Sequence, residues 1–159
     1  MKNRTSSRTG LFLMELILAV LLFSLSSVLC IQMFVKSHTL SKNSVELNHS
    51  ILWAQNISET FYGCNGNASD MSELFENCNY EMDSDQSEYL TLFFDENFTP
   101  ITLSGNPAEK SYYQLTALIT PENDGLINCY IEISKSGSTN NIYELTLSLF
   151  PSKEVPYES

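Results

Sequence analysis

Basic residues are scarce in this sequence: eight Lys and Arg stand against 19 Asp and Glu, a formal net charge of −11 at pH 7. Nucleic-acid phosphate is bound chiefly through Lys and Arg, so this balance disfavours direct capture of DNA or RNA. It suits a soluble acidic surface. Histidine is scarcer still, with two in 159 residues. His38 and His49 lie about three helical turns, or 16 Å, apart, too far to share a metal ion, and read as solvated surface residues. There is no glycine-rich phosphate loop, no Gly-x-Ser-x-Gly elbow and no His-Glu zinc motif. Asp83, Asp85 and Ser87 begin like a calcium loop, but Glu88 stands where that loop needs Gly and Phe94 where it needs Glu. The expectation is a chain with no enzyme activity, no cofactor and no metal.

Charge is nearly missing from Leu11 to Val35, and proline is missing from Leu11 to Phe61. The first stretch has 25 residues with one charge, Glu15, and about 20 apolar residues suffice to cross a bilayer as a helix. A cleaved secretory signal has a shorter apolar region, about 7–15 residues. Lys2, Arg4 and Arg8 precede the run with no acid among them. Positive charge favours the cytoplasmic side, which places the N-terminus inside and everything from Lys36 outside. A carboxylate well inside a bilayer costs roughly 2.5–3.5 kcal/mol and calls for a partner. After Arg8 the next basic residue is Lys36. A cut after Gly10 would supply a nearer cation, because the new amine on Leu11 would lie about 6 Å of helix rise from Glu15.

A short basic leader ending in Gly10, an apolar helix beginning at Leu11 and a Glu at the fifth position after the cut resemble the type IV pilins and the pseudopilins of type II secretion and competence systems. The resemblance covers the first third of the chain. It implies cleavage between Gly10 and Leu11 by a membrane prepilin peptidase, N-methylation of Leu11, and neutralisation by Glu15 of a neighbouring subunit's amine during assembly. The family commonly has Phe where Leu11 stands, and many major pilins have Pro where this chain has Gln32. The implied function is a structural filament subunit, a minor pilin or pseudopilin. Its partners would be the peptidase, the membrane and other subunits' helices. Loss of the leader would leave five bases against 19 acids, a net charge of −14.

Past the membrane run, Leu40, Leu47, Ile51, Ala54, Ile57 or Ser58, and Phe61 keep a helical period. One helix from Leu11 to Tyr62 would be roughly 78 Å long, with Gly63 as its left-handed cap. Residues 1–10 are then a leader, 11–35 a membrane or filament-core half-helix and 36–62 an amphipathic half-helix. Residues 63–87 form a cysteine-bracketed loop with a short helical turn at Met71–Phe75. Residues 88–150 form an antiparallel sheet, and 151–159 a loose tail. Period-2 segments predict strands at Glu88–Phe94, Thr99–Leu103, Tyr112–Thr120, Leu126–Ser134 and Ile142–Phe150. In the last, Tyr143, Leu145, Leu147 and Leu149 share one face. Turn signals at Asn123–Gly125 and Ser136–Asn141 separate the final three. The fold class is α+β: a long N-terminal helix, membrane-spanning in its first half, packed by its second half on a C-terminal antiparallel sheet.

Of four cysteines, Cys30 lies in the membrane run as a small apolar residue or a lipidation site. A Cys64–Cys78 disulfide is the favoured pairing, contributing roughly 3 kcal/mol by the chain-entropy argument. Cys129 alternates with isoleucines in a strand and is expected to be buried. It is the alternative partner for either loop cysteine. Asn-x-Ser/Thr triplets at Asn3, Asn48, Asn56, Asn67 and Asn97 leave a second reading, an uncleaved single-pass surface glycoprotein with an acidic α/β ectodomain.

Overall fold

The computed structural model describes residues 5–84, 86–101, 111–122 and 124–151. Two compact units divide the chain, Met1–Ser44 and Val45–Ser159. Helix α1, Thr5–Gly63, contributes to both and is unbroken through Gln32. In the first unit the side chains from Leu11 to Val35 are exposed except Ser27. This is the one helix among the described residues long and apolar enough to cross a membrane.

The second unit packs the last part of α1 on a five-stranded antiparallel sheet in the order β1-β2-β3-β4-β5. The strands are β1 Asn79–Met82, β2 Glu88–Phe94, β3 Tyr113–Pro121, β4 Ile127–Lys135 and β5 Asn141–Leu149. Side chains two apart share a face, and the register aligns them in rows. Phe94, Tyr113 and Lys135 form one row, Leu92, Leu115, Ile133 and Tyr143 the next, and Leu90, Ala117, Ile131 and Leu145 a third. Ala54, Ile57 and Phe61 of α1, with Ala68 and Met71 of a short helix α2 (Ala68–Leu74), close over these rows. Burying side chains the size of Ile57, Phe61 and Met71 contributes roughly 1.5–3 kcal/mol each.

The α+β arrangement expected from the sequence is present. Strand β2 matches its predicted bounds, and β3, β4 and β5 lie within one residue of theirs. The hairpin after β3 closes through Glu122 N–H to the Leu126 carbonyl at 2.7 Å, while Asn123 of its turn signal lies outside the described residues. Gly137, at φ 77°, turns the chain between β4 and β5. The strand expected at Thr99–Leu103 is reduced, among described residues, to one bridge of Pro100 with Phe94, and Leu103 lies outside them. Strand β1 falls where a loop was expected.

The helix ends differently from the expectation. Gly63 is its last helical residue, and the left-handed positions are Asn65, at φ 55°, and Gly66, at φ 80°. Asn65 N–H bonds the Tyr62 carbonyl at 3.2 Å and Gly66 N–H bonds the Phe61 carbonyl at 2.9 Å. Together these form a Schellman motif, which satisfies carbonyls of the last turn. The buried face of α1 is also displaced. Glu46 and Ser50 are buried with Ala54, Ile57 and Phe61, whereas Leu47 is 40% exposed and Leu40 66% exposed.

Candidate functional site

The residues singled out from the sequence fall into separate places. Gly10, Leu11 and Glu15 are exposed residues of α1 in the first unit, and nothing lies within 4 Å of a Cβ built on Gly10. Leu11 and Glu15 are four residues apart in continuous helix, one turn, so both project from neighbouring positions on one face.

No disulfide is formed among the described residues, a departure from the expected Cys64–Cys78 bridge: Cys30, Cys64, Cys78 and Cys129 are all free thiols. Each is seated separately. Cys64 follows the last turn of α1, its thiol pushed up by burial and by the nearby Asp70 carboxylate. Cys78 precedes β1 and donates to the Asn79 carbonyl at 3.8 Å, and burial pushes its thiol up as well. Cys129 is on the inner face of β4, fully buried, its thiol pushed up to about 12 by burial. A thiol held protonated is a poor nucleophile, so Cys129 acts as a packing residue.

Asn67, one of the triplet asparagines, caps α2: its Oδ1 accepts from the N–H groups of Ser69 at 3.0 Å and Asp70 at 3.3 Å. Asn97 is exposed in a turn organised by Asp95, whose carboxylate accepts from the N–H groups of Asn97 at 2.8 Å and Thr99 at 2.9 Å. Asp83 and Ser87 belong to the tight β1–β2 turn, with Asp83 N–H on the Ser87 carbonyl, while Asp85 is outside the described residues. Among the described residues no three His, Cys, Asp or Glu side chains are grouped to hold a metal ion.

The polar constellation the sequence reading missed lies at the start of the second unit. Tyr113 and Lys135 are cross-strand partners on the inner face, and both reach the buried Glu46 carboxylate. Tyr113 Oη donates to Glu46 Oε1 at 3.1 Å, and Lys135 Nζ pairs with Oε2 at 2.8 Å. Burial, then the bond to Glu46, raises the Tyr113 phenol. Beside this, the Phe98 ring stacks on Tyr113 at a centroid distance of 4.0 Å and on His49 at 5.2 Å. Phe98 holds a left-handed backbone, φ 59°, at a cost on the order of 1–3 kcal/mol that its packing must offset. His49 is therefore half-buried against an aromatic ring, where a solvated residue was expected. One signal for the cluster was present: Lys135 continues the parity of Ile127, Cys129, Ile131 and Ile133, which puts its side chain on the inner face.

Comparison with protein-family models, with curated proteins and with solved structures returned no match.

Proposed function

We propose that the chain is a structural, non-enzymatic subunit, a minor pilin or pseudopilin, of a type IV pilus-like or pseudopilus filament. The observation that carries this reading is the placement of Gly10, Leu11 and Glu15 at the head of the apolar run, on an exposed helix. A prepilin peptidase would cut between Gly10 and Leu11 and methylate the new amine. The helix would then pack among other subunits' helices, away from water, with Glu15 facing a neighbour's amine. Leaving one member of such a buried pair alone costs roughly 3–5 kcal/mol, so the pair both tolerates burial and selects correctly placed neighbours. The domain from Val45 would be carried on the exported side, with its excess of acids in water.

The test is intact-mass analysis of the chain co-expressed with a prepilin peptidase. The expected product lacks residues 1–10, and Gly10→Val blocks its formation. An uncut chain beside a processed control pilin refutes the reading. Retention of Met1 with glycan on Asn97 supports the signal-anchored glycoprotein instead.

A further inference from the structure

The sequence and the structure disagree about which face of α1 meets the sheet. The apolar pattern favours Leu47, Ile51, Ala54, Ile57 or Ser58, and Phe61. The residues buried are Glu46, Ser50, Ala54, Ile57 and Phe61, with Leu47 40% exposed and Ile51 half-buried. At about 100° per residue the centres of these two faces differ by about 40° of roll about the helix axis when Ile57 is counted in the first, and by about 60° when Ser58 is. Hydrophobic burial alone favours the first setting, since the second puts a carboxylate and a hydroxyl inside and a leucine outside.

What favours the observed setting is the Glu46 carboxylate. Both of its oxygens are engaged, one by Tyr113 and one by Lys135, and no buried side-chain polar atom among the described residues lacks a partner. Ser50, the other buried polar residue of the face, donates back to the Glu46 carbonyl at 2.9 Å and needs nothing from the sheet. Rolling Leu47 inward would carry Glu46 away from Tyr113 and Lys135, leaving the Tyr113 hydroxyl beneath the helix without its acceptor. We propose that Glu46, Tyr113 and Lys135 form a rotational latch, which holds α1 in a setting its apolar pattern does not prefer and keeps Leu47 and Ile51 turned away from the sheet. Buried ionic groups are best attested in this kind of registry role.

The chain provides its own reporter. Trp53 is the single tryptophan, and its ring lies 4.8 Å from that of Phe94 on the sheet, so a roll of the helix changes its surroundings. The full chain in detergent micelles, labelled with 5-fluorotryptophan, should give one ¹⁹F resonance. Glu46→Ala removes both anchors and should shift that resonance to a new position. Glu46→Gln keeps the shape and the acceptor for Tyr113 but loses the charge, and should show two resonances, the new one holding at least about a tenth of the intensity. The exchange Glu46→Lys with Lys135→Glu should restore the wild-type resonance. Leu47→Asp should be tolerated in the wild-type background and should drive the Glu46→Ala chain back to the wild-type resonance, because an aspartate cannot roll into the core. A single wild-type resonance in both Glu46→Gln and Glu46→Ala overturns the proposal. So does a wild-type resonance in Glu46→Gln where Glu46→Ala fails to fold, since the triad then stabilises without setting the roll.

Discussion

Gly66→Ala is the substitution whose cost follows most directly from the geometry of the domain. Gly66 sits at φ 80°, and an added Cβ would come within 2.9 Å of Ile127 Cδ1. The left-handed conformation costs a residue with a Cβ about 1–2 kcal/mol. Relief of the contact by moving Ile127 off its rotamer adds about 0.5–1.5 kcal/mol. The sum is a loss of about 1.5–3.5 kcal/mol of domain stability. Gly63, three residues earlier, is the control. It is helical and open, with nothing within 4 Å of its Cβ position, so Gly63→Ala should gain about 0.5–1 kcal/mol. Ile127→Val removes the Cδ1 atom, and should therefore cost less in the Gly66→Ala background than in the wild type. Denaturant unfolding of the full chain in micelles, followed by Trp53 fluorescence, reads all four variants. A neutral Gly66→Ala, or a destabilising Gly63→Ala, would refute the Schellman ending and its packing on β4.

Asn67→Ala removes the cap of α2 and should cost about 1 kcal/mol in the same assay. Phe61→Ala, from a fully buried position, should cost about 3–5 kcal/mol. The Cys129 thiol is raised by burial from 9.0 to about 12, so its contribution is complete below pH 9 and fades as pH climbs toward 12. The unfolded chain ionises first in that window, and stability should fall by about 1.4 kcal/mol per pH unit. The Tyr113 phenol, also raised, adds a fall of the same sign above pH 10. Cys129→Ala should flatten the slope between pH 9 and 10 relative to wild type. An unchanged slope contradicts a buried protonated thiol.

Alternation made β2 to β5 legible, because a strand with one covered face writes its burial directly into every second residue. Tyr143, Leu145, Leu147 and Leu149 are partly buried and Glu144, Thr146 and Ser148 exposed, as the pattern requires. Strand β1 was hidden because Asn79–Met82 is a short, mostly exposed edge, four residues in which the alternation of Tyr80 and Met82 marks no buried face. The helix runs one residue past the expected Tyr62 and its left-handed cap is Asn65, two residues after Gly63, because the two closing bonds reach back from Asn65 and Gly66. Ala54, Ile57 and Phe61 are buried as the stripe requires, but Glu46 and Ser50 stand inside where Leu40 and Leu47 were expected, for a different reason. A carboxylate looks like a surface residue until the strands that bring Tyr113 and Lys135 together are known, and their separation in sequence conceals that meeting. That Gly10, Leu11 and Glu15 stand on one helix at the head of an apolar run was legible from the run itself, whereas their roles rest on the resemblance to pilins.

The central claim is that Glu15 serves assembly. The measurement is the ratio of sheared extracellular protein to membrane-bound protein, for wild type and Glu15→Val, in a host that assembles the filament. Removing a charge from lipid leaves insertion intact or improves it, while the neighbouring amine loses its partner. The account predicts normal membrane levels and a sharply reduced sheared fraction for Glu15→Val, with Glu15→Asp between the two because its carboxylate reaches less far. An unchanged ratio for Glu15→Val would contradict it.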